Sequence, residues 1–450
     1  MDSAHGPSRR ARAVLLQCPR KIKMENNKMT KATLALAVSA GILGLSASQQ
    51  AAAEFFKDSK ASLELRNFYM NKDFRDEVSA APNQQAKQDE WAQGFILRYE
   101  SGYTEGPVGF GLDMLGLLGV KLDSSPADAG TGLLPGGYNN RAPDDYSELG
   151  VTGKVRISKS ELKVGTLLPK NPVLVYNDTR LLPQTFQGSN LQIKEIQGLT
   201  LDFGYLDQVN YRNSTNNEEM SLVSANRRNI TIKRGGENEA NFFMYGGATY
   251  QITKELAATY YYGELDDLYK QHAFNVVHVL PLGKNSLKTD LRYARSTDDG
   301  EAHVDNHAFG LLSTYAMGAH KFGLGLQKMQ GDTGFAQING TDPFLVNYIQ
   351  VNDFANADER SWQLRYDYDF AALGIPGLTF MTRYVSGDHV DRGPGSDGKE
   401  WERDTDIAYV FQSGMLKNLS LKWRNATMRS NFVRDVDENR LIVSYTLPLM

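Results

Sequence analysis

The sequence predicts an all-β chain, an 18-stranded antiparallel transmembrane β-barrel with an inward-folded third loop. Three observations carry this. Segments of about ten residues that alternate apolar and polar recur throughout, with no long apolar run after residue 53. The gaps between them alternate long and short. One long gap, 168–188, is apolar and stiffened by Pro169, Pro172 and Pro183, which marks a loop packed against something rather than one facing water.

The elements follow in order. Residues 1–23 are basic and unpatterned and read as an upstream extension. From Met24 the chain reads as a signal peptide, 24–53. Lys28 and Lys31 supply its charge, 32–47 its apolar stretch and Ala51-Ala52-Ala53 its small-residue cleavage site. A membrane anchor would need roughly 20 apolar residues, more than this stretch offers. The barrel occupies 54–450. The removed part holds eight Lys+Arg and two Asp+Glu, which leaves 41 basic and 51 acidic residues and a formal charge of −10. Cys18, the only cysteine, leaves with it, so neither disulfides nor thiolate metal sites are expected.

Period-2 segments lie at 60–70, 91–101, 107–120, 147–158, 160–167, 189–197, 199–210, 240–250 and 255–263. They continue at 271–281, 286–296, 306–316, 319–330, 360–370, 377–386, 403–412, 418–429 and 439–450. A weaker run, 219–233, is assigned to a loop. The long gaps are 71–90, 121–146, 168–188, 211–239, 264–270, 297–305, 331–359, 387–402 and 430–438. Long loops on one side and tight turns on the other, with an even strand number, suit an outer-membrane barrel. A propeller would repeat a blade motif, and none is visible. A sandwich would need an apolar core face, whereas the polar face here is heavily charged.

The apolar parity is taken as lipid-facing. It sends Trp362, Leu364 and Tyr366 outward and Gln363, Arg365 and Asp367 inward, and likewise Phe380 and Tyr384 against Arg383. Leu421 and Trp423 alternate with Lys422 and Arg424, outward Leu441 and Val443 follow an inward Arg440, and Leu63 and Leu65 alternate with Glu64 and Arg66. Arg or Lys on the lipid face at mid-membrane would cost about 2–4 kcal/mol, so parity is a physical assignment. Arg365, Arg383, Lys422, Arg424, Arg440, Arg66 and Arg98 come from the last five segments and the first two, which barrel closure makes neighbours. Such a sector would guide carboxylates through an aqueous lumen. Each cation also has the alternative of pairing with a lumen acid, and Asp367 and Asp369 beside Arg365 favour pairing there.

The run LKVGTLLPKNPVLVYNDTRLLPQTFQG (162–188) resembles the constricting third loop of the OprD-like outer-membrane channels of pseudomonads. LRNFYMNKDF (65–74), GDTGFAQINGTDPFLVNYIQVNDF (331–354), SWQLRYDYDFAALGIPGLTFMTRYVSGD (361–388) and RLIVSYTLPL (440–449) extend the resemblance over 54–450. It implies an eighteen-stranded channel with an arginine ladder leading to a narrow eyelet and an electronegative patch opposite. Arg180 resembles the eyelet arginine. Arg383, Lys422, Arg424 and Arg440 match the ladder, with Arg156 as a further candidate, and Asp290 and Asp298 are the expected acidic pole. The 331–350 and 402–414 stretches are similar to the carboxylate-specific branch, whose members resemble benzoate and vanillate channels. A basic amino-acid or small-peptide porin of the same family is the alternative.

An enzymatic or purely structural barrel is the remaining reading. No Gly-x-Ser-x-Gly or His-Glu-x-x-His motif occurs. His303 and His307 on one strand would stand about 13 Å apart, too far to share a metal. The expectation is therefore a non-enzymatic porin of a Gram-negative outer membrane, working without cofactor or metal. Its partners would be small monocarboxylates, with aromatic acids foremost, and outer-membrane lipid, with no nucleic acid. It would be a monomer or a weak homotrimer.

Overall fold

The computed structural model describes residues 55–75, 85–136, 138–223, 228–394 and 397–450. The expected extension and signal peptide lie outside the described residues. Eighteen long strands form the wall: β1 (Lys60–Phe74), β2 (Lys87–Glu100), β3 (Val108–Ser124), β4 (Asp145–Ile157), β5 (Ser160–Leu167), β6 (Thr185–Ile193), β7 (Leu199–Asn210), β8 (Phe243–Gln251) and β9 (Leu256–Leu265). They continue as β10 (Tyr269–Leu282), β11 (Asn285–Asp298), β12 (Asp305–Met317), β13 (His320–Gln330), β14 (Arg360–Asp369), β15 (Leu378–Val390), β16 (Gly398–Val410), β17 (Ser420–Ser430) and β18 (Val436–Pro448). Each pairs antiparallel with the next. β1 pairs with β18 from Ser62↔Pro448 to Phe74↔Val436, which closes the sheet and leaves no unpaired edge for lipid. A two-residue strand, Asn217–Glu218, extends the sheet beside β7.

The expected asymmetry between the two ends holds, with three corrections. The connections expected at 264–270, 297–305 and 430–438 shrink to 266–268, 299–304 and 431–435, because strand pairing runs on beyond the bilayer. Asp267 turns the tightest of them with a φ of 58°. At the other end, Gly283 and Gly318 open two-residue hairpins with φ of 66° and 57°, conformations that side chains resist.

Parity assigns the faces as expected, but the inner face is not polar throughout. Phe68, Met70, Ala92, Ile96 and Leu117 point inward and are buried, because Leu181 and Leu182 of the third loop (L3, 168–184) pack on them. Across the lumen, inward Phe243, Tyr245 and Tyr261 meet Phe335, Ile338 and Leu345 of a second inward loop (L7, 331–359). Each buried Leu or Phe contributes roughly 1.5–3 kcal/mol to holding its loop inside. On the lipid side, aromatic belts mark the two bilayer interfaces. Trp362, Tyr384 and Trp401 stand towards the long-loop end, and His320, Phe322, Tyr366 and Tyr368 towards the other.

Candidate functional site: a constriction between two inward loops

L3 is built to hold its shape inside the lumen. Lys170–Asn171 and Leu174–Val175 form a miniature hairpin, closed by the Asn171 side chain accepting from the N–H groups of Val173 and Leu174. Asn177 Oδ1 accepts from Thr179 N at 3.0 Å and fixes the turn that presents Arg180. Arg66 Nη1 of β1 donates to Asp178 at 2.7 Å and to the Arg180 carbonyl at 3.0 Å. L7 is pinned from neighbouring strands of the same side of the wall. Glu402 of β16 accepts from the N–H groups of Val351 and Asn352, and Arg440 Nη2 of β18 donates to the Gln350 carbonyl at 2.9 Å.

The two loops meet. Val175 and Asp342 form a β-bridge, and Asp342 Oδ1 accepts from Asn177 Nδ2 and from the Tyr348 hydroxyl, both at 2.6 Å. Burial, reinforced by the Asp353 carboxylate, pushes the Asp342 carboxyl up to about 6, against the pull of the Tyr348 hydrogen bond and of Arg212 and Arg180.

Beside this contact stands a knot of positive charge. Arg180 is buried, donating from Nε to the Thr131 carbonyl at 3.2 Å and from Nη1 to the Thr179 carbonyl at 3.0 Å. Arg212, from the loop after β7, shares Thr179 Oγ1 with it, and both guanidiniums lie against the space beside Gly132. Among the described residues neither has a carboxylate within salt-bridge distance. Burial, and then the neighbouring guanidiniums of Arg440 and Arg212, hold the Arg180 pKa well below its ordinary range. A group in that position gains from an incoming anion, since an opposite charge offsets its desolvation.

The expected ladder divides in two. Arg66, Arg383 and Arg440 are nearly enclosed; Arg66 and Arg440 tether the loops, and Arg383 joins β15 to β16. Arg383 pairs with the buried Asp404 at 2.7 Å, and Arg440 with the buried Glu438 at 2.5 Å. Arg365, Lys422 and Arg424 remain open to the lumen. Arg365 pairs with Asp367, and Lys422 and Arg424 share Asp406. Arg98 shares Glu64 with Arg66. The seven cations share five wall acids and Asp178.

Arg156 lies apart from this group, exposed at the short-turn end of β4 and stacked on Tyr103 with its guanidinium 4.2 Å from the ring centre. Asp298 sits half-exposed on the long-loop rim and pairs with Lys233 at 3.6 Å. Asp290 is a wall residue held by Arg292 at 2.8 Å and by Asn275 at 2.6 Å. The carboxylate that the fold brings to the arginines is Asp342. Sequence reasoning missed it, as it missed Arg212 and the inward course of L7. Apolar Phe335, Ile338 and Leu345 within a long gap were the available signal, the same one that revealed L3.

Below L3 the lumen widens into a cavity of about 360 Å³ lined by Arg98, Asp113, Lys163, Pro169, Lys170 and Asp202. The passage thus runs from the arginine knot into a vestibule of mixed charge.

Residues 53–449 match the family described as outer membrane porin, OprD family. The porin-like protein GalP of Pseudomonas putida is 42% identical over 409 residues, covering 89% of this chain and 95% of GalP. The crystal structure of Pseudomonas aeruginosa OpdQ superposes with a TM-score of 0.81 at 58% identity, covering 88% of this chain and all of OpdQ. That of Pseudomonas aeruginosa OpdK with vanillate superposes at 0.79 and 41% identity, with coverage of 88% and 100%. Agreement of this kind along nearly the whole barrel means that the chain belongs to the OprD family, and is an outer-membrane channel for small solutes rather than an enzyme.

Proposed function

We propose that this channel passes small monocarboxylates, aromatic acids such as benzoate among them, into the periplasm down their gradient. The observation that carries the reading is the Arg180–Arg212 pair: two cations at the constriction without a carboxylate partner among the described residues. A passing carboxylate meets planar forks suited to bidentate contact. Arg365, Lys422, Arg424 and Arg98 continue the path, each already shared with an acid, so that they attract an anion without trapping it. Arg156 and Asp290 are assigned to the walls of the path, Arg66, Arg383 and Arg440 to its framework, and Asp342 to the opposite pole. The 24–53 leader would direct export. A closed barrel with its own constriction conducts without a partner chain, so the reading holds for a monomer or a weak homotrimer alike.

The test is proteoliposome uptake of labelled benzoate against labelled arginine, with wild type and Arg180→Ala. Faster benzoate uptake by wild type, reduced in a variant that still assembles, is the expected result. Unchanged benzoate flux in the variant overturns the assignment of Arg180. Faster arginine uptake by wild type moves the function to the basic amino-acid branch, with Asp342 as the pole to test.

A further inference from the structure

The outer surface of β13–β16 carries a feature that transport does not use. At the long-loop rim, Lys328 lies directly across from Arg360 and Arg360 across from Asp388, and Lys399 of β16 follows at the register shift just beyond the Gly387↔Glu400 pair. Their parity is outward, shared with Leu326, Trp362 and Trp401 of the next row. Arg403, one row further toward the bilayer, stands across from Tyr384. All four cations are exposed, and none of their side chains has a hydrogen bond or ion pair among the described residues. Asp388, the one acid in the row, is engaged by His389 at 2.5 Å.

The rest of this rim is different. Outward Lys270 is paired with Asp299 at 2.7 Å, Arg295 with Asp305, and Arg429 with Asp437 at 2.7 Å. Among the described residues, the outward cations of the wall strands at this end that lack a side-chain partner are thus confined to one sector, and Arg403 stands level with the aromatic belt, where a bare charge is disfavoured as depth increases. Immediately below lies an exposed apolar wall. Leu326 is 47% exposed, Trp362 40% and Leu364 54%.

We infer that this sector is a binding surface for a phosphorylated glycolipid of the outer leaflet, its phosphates held by Lys328, Arg360, Lys399 and Arg403 and its acyl chains lying on Leu326, Trp362 and Leu364. At the rim, charge and apolarity are stacked in the order that such a molecule presents them, with Lys328, Arg360 and Lys399 above and Leu326, Trp362 and Leu364 below. Three cations at the rim and a fourth, Arg403, two outward rows deeper beside Tyr384 suit a ligand with more than one phosphate. Arginine's fork matches phosphate geometry, and lysine acts as a point charge.

Native mass spectrometry of the folded protein with bisphosphorylated lipid A tests this. Wild type should retain one lipid per barrel. The neutralised variant K328Q/R360Q/K399Q/R403Q should bind at least tenfold more weakly, while K270Q/R295Q, from the acid-paired sector, should stay within twofold of wild type. None of the four substituted side chains makes an internal bond, so the variant should keep wild-type KCl conductance, which confirms that it is folded. Dephosphorylated lipid A should bind no better to wild type than to the neutralised variant. Equal retention of bisphosphorylated lipid A by wild type and the neutralised variant overturns the inference. So does pyrophosphate competing as well as the intact lipid, which would make this a soluble-anion site. A change in oligomer mass without loss of lipid also overturns it, by making the sector a contact between barrels.

Discussion

Replacing Arg212 with Gln separates guidance from architecture more cleanly than any other change at the constriction. Among the described residues its side chain makes one hydrogen bond, a long one of 3.4 Å from Nη1 to Thr179 Oγ1, so little holding force is lost. What goes is one of two unpartnered charges. Two unit charges about 4 Å apart at an effective dielectric near 20 attract by about 4 kcal/mol, and a charged hydrogen bond nets about 1.5–3 kcal/mol after desolvation. Arg180 still stands beside the path, and a channel site must release its solute, which places the loss near the lower limit, about 1.4 kcal/mol or tenfold. The assay is benzoate flux against concentration in proteoliposomes. The half-saturating concentration should rise about tenfold, whereas KCl conductance in planar bilayers should change less than twofold. An unchanged half-saturation, in protein whose barrel is intact, would refute the view that the two arginines act together on the carboxylate.

Other perturbations follow from the same geometry. Asp342 loses its charge as pH falls through about 6, which leaves the arginine knot less compensated. Chloride-over-potassium selectivity, read from reversal potentials, should therefore rise from pH 7.5 to pH 5, and Asp342→Asn should fix it at the low-pH value across the range. Leu181→Ala removes a fully buried anchor of L3, a change that costs about 2–5 kcal/mol in a packed core. Single-channel conductance should become larger and noisier while heat-modifiable gel mobility still reports a folded barrel. Arg383→Ala strands the fully buried Asp404, worth roughly 3–5 kcal/mol when one partner of a buried pair is lost. Its unfolding temperature should fall more than that of R383A/D404N, in which no carboxylate is left alone.

The wall was legible because a membrane barrel obeys a rule that acts on every residue. One face of each strand meets lipid and the other meets water, so Trp362, Leu364 and Tyr366 declare one side and Gln363, Arg365 and Asp367 the other without any knowledge of neighbours. The third loop was legible for a related reason: an apolar, proline-rich segment between strands has to be packed somewhere. L7 carries a weaker form of that signal, diluted by Asn, Gln and Thr whose hydrogen bonds form only inside the folded barrel, as when Asn356 and Asn352 meet Glu359 and Glu400.

By itself the sequence determined strand number, facing, closure and the sector in which the wall cations gather, since these depend on period and order along the chain. Only the tertiary structure decided what each charge does. Arg440 and Arg424 lie directly across from one another, as do Arg365 and Arg383, and such like-charged neighbours persist because each pairs with an acid of its own strand or of the strand on its other side. Arg440 became a tether and Arg180 and Arg212 the open pair through contacts spanning up to 261 residues of sequence, Arg440 to Thr179 being the longest of those at the constriction. Whether a charge is satisfied or free depends on what stands within about 4 Å of it, and no periodicity along a strand encodes that distance.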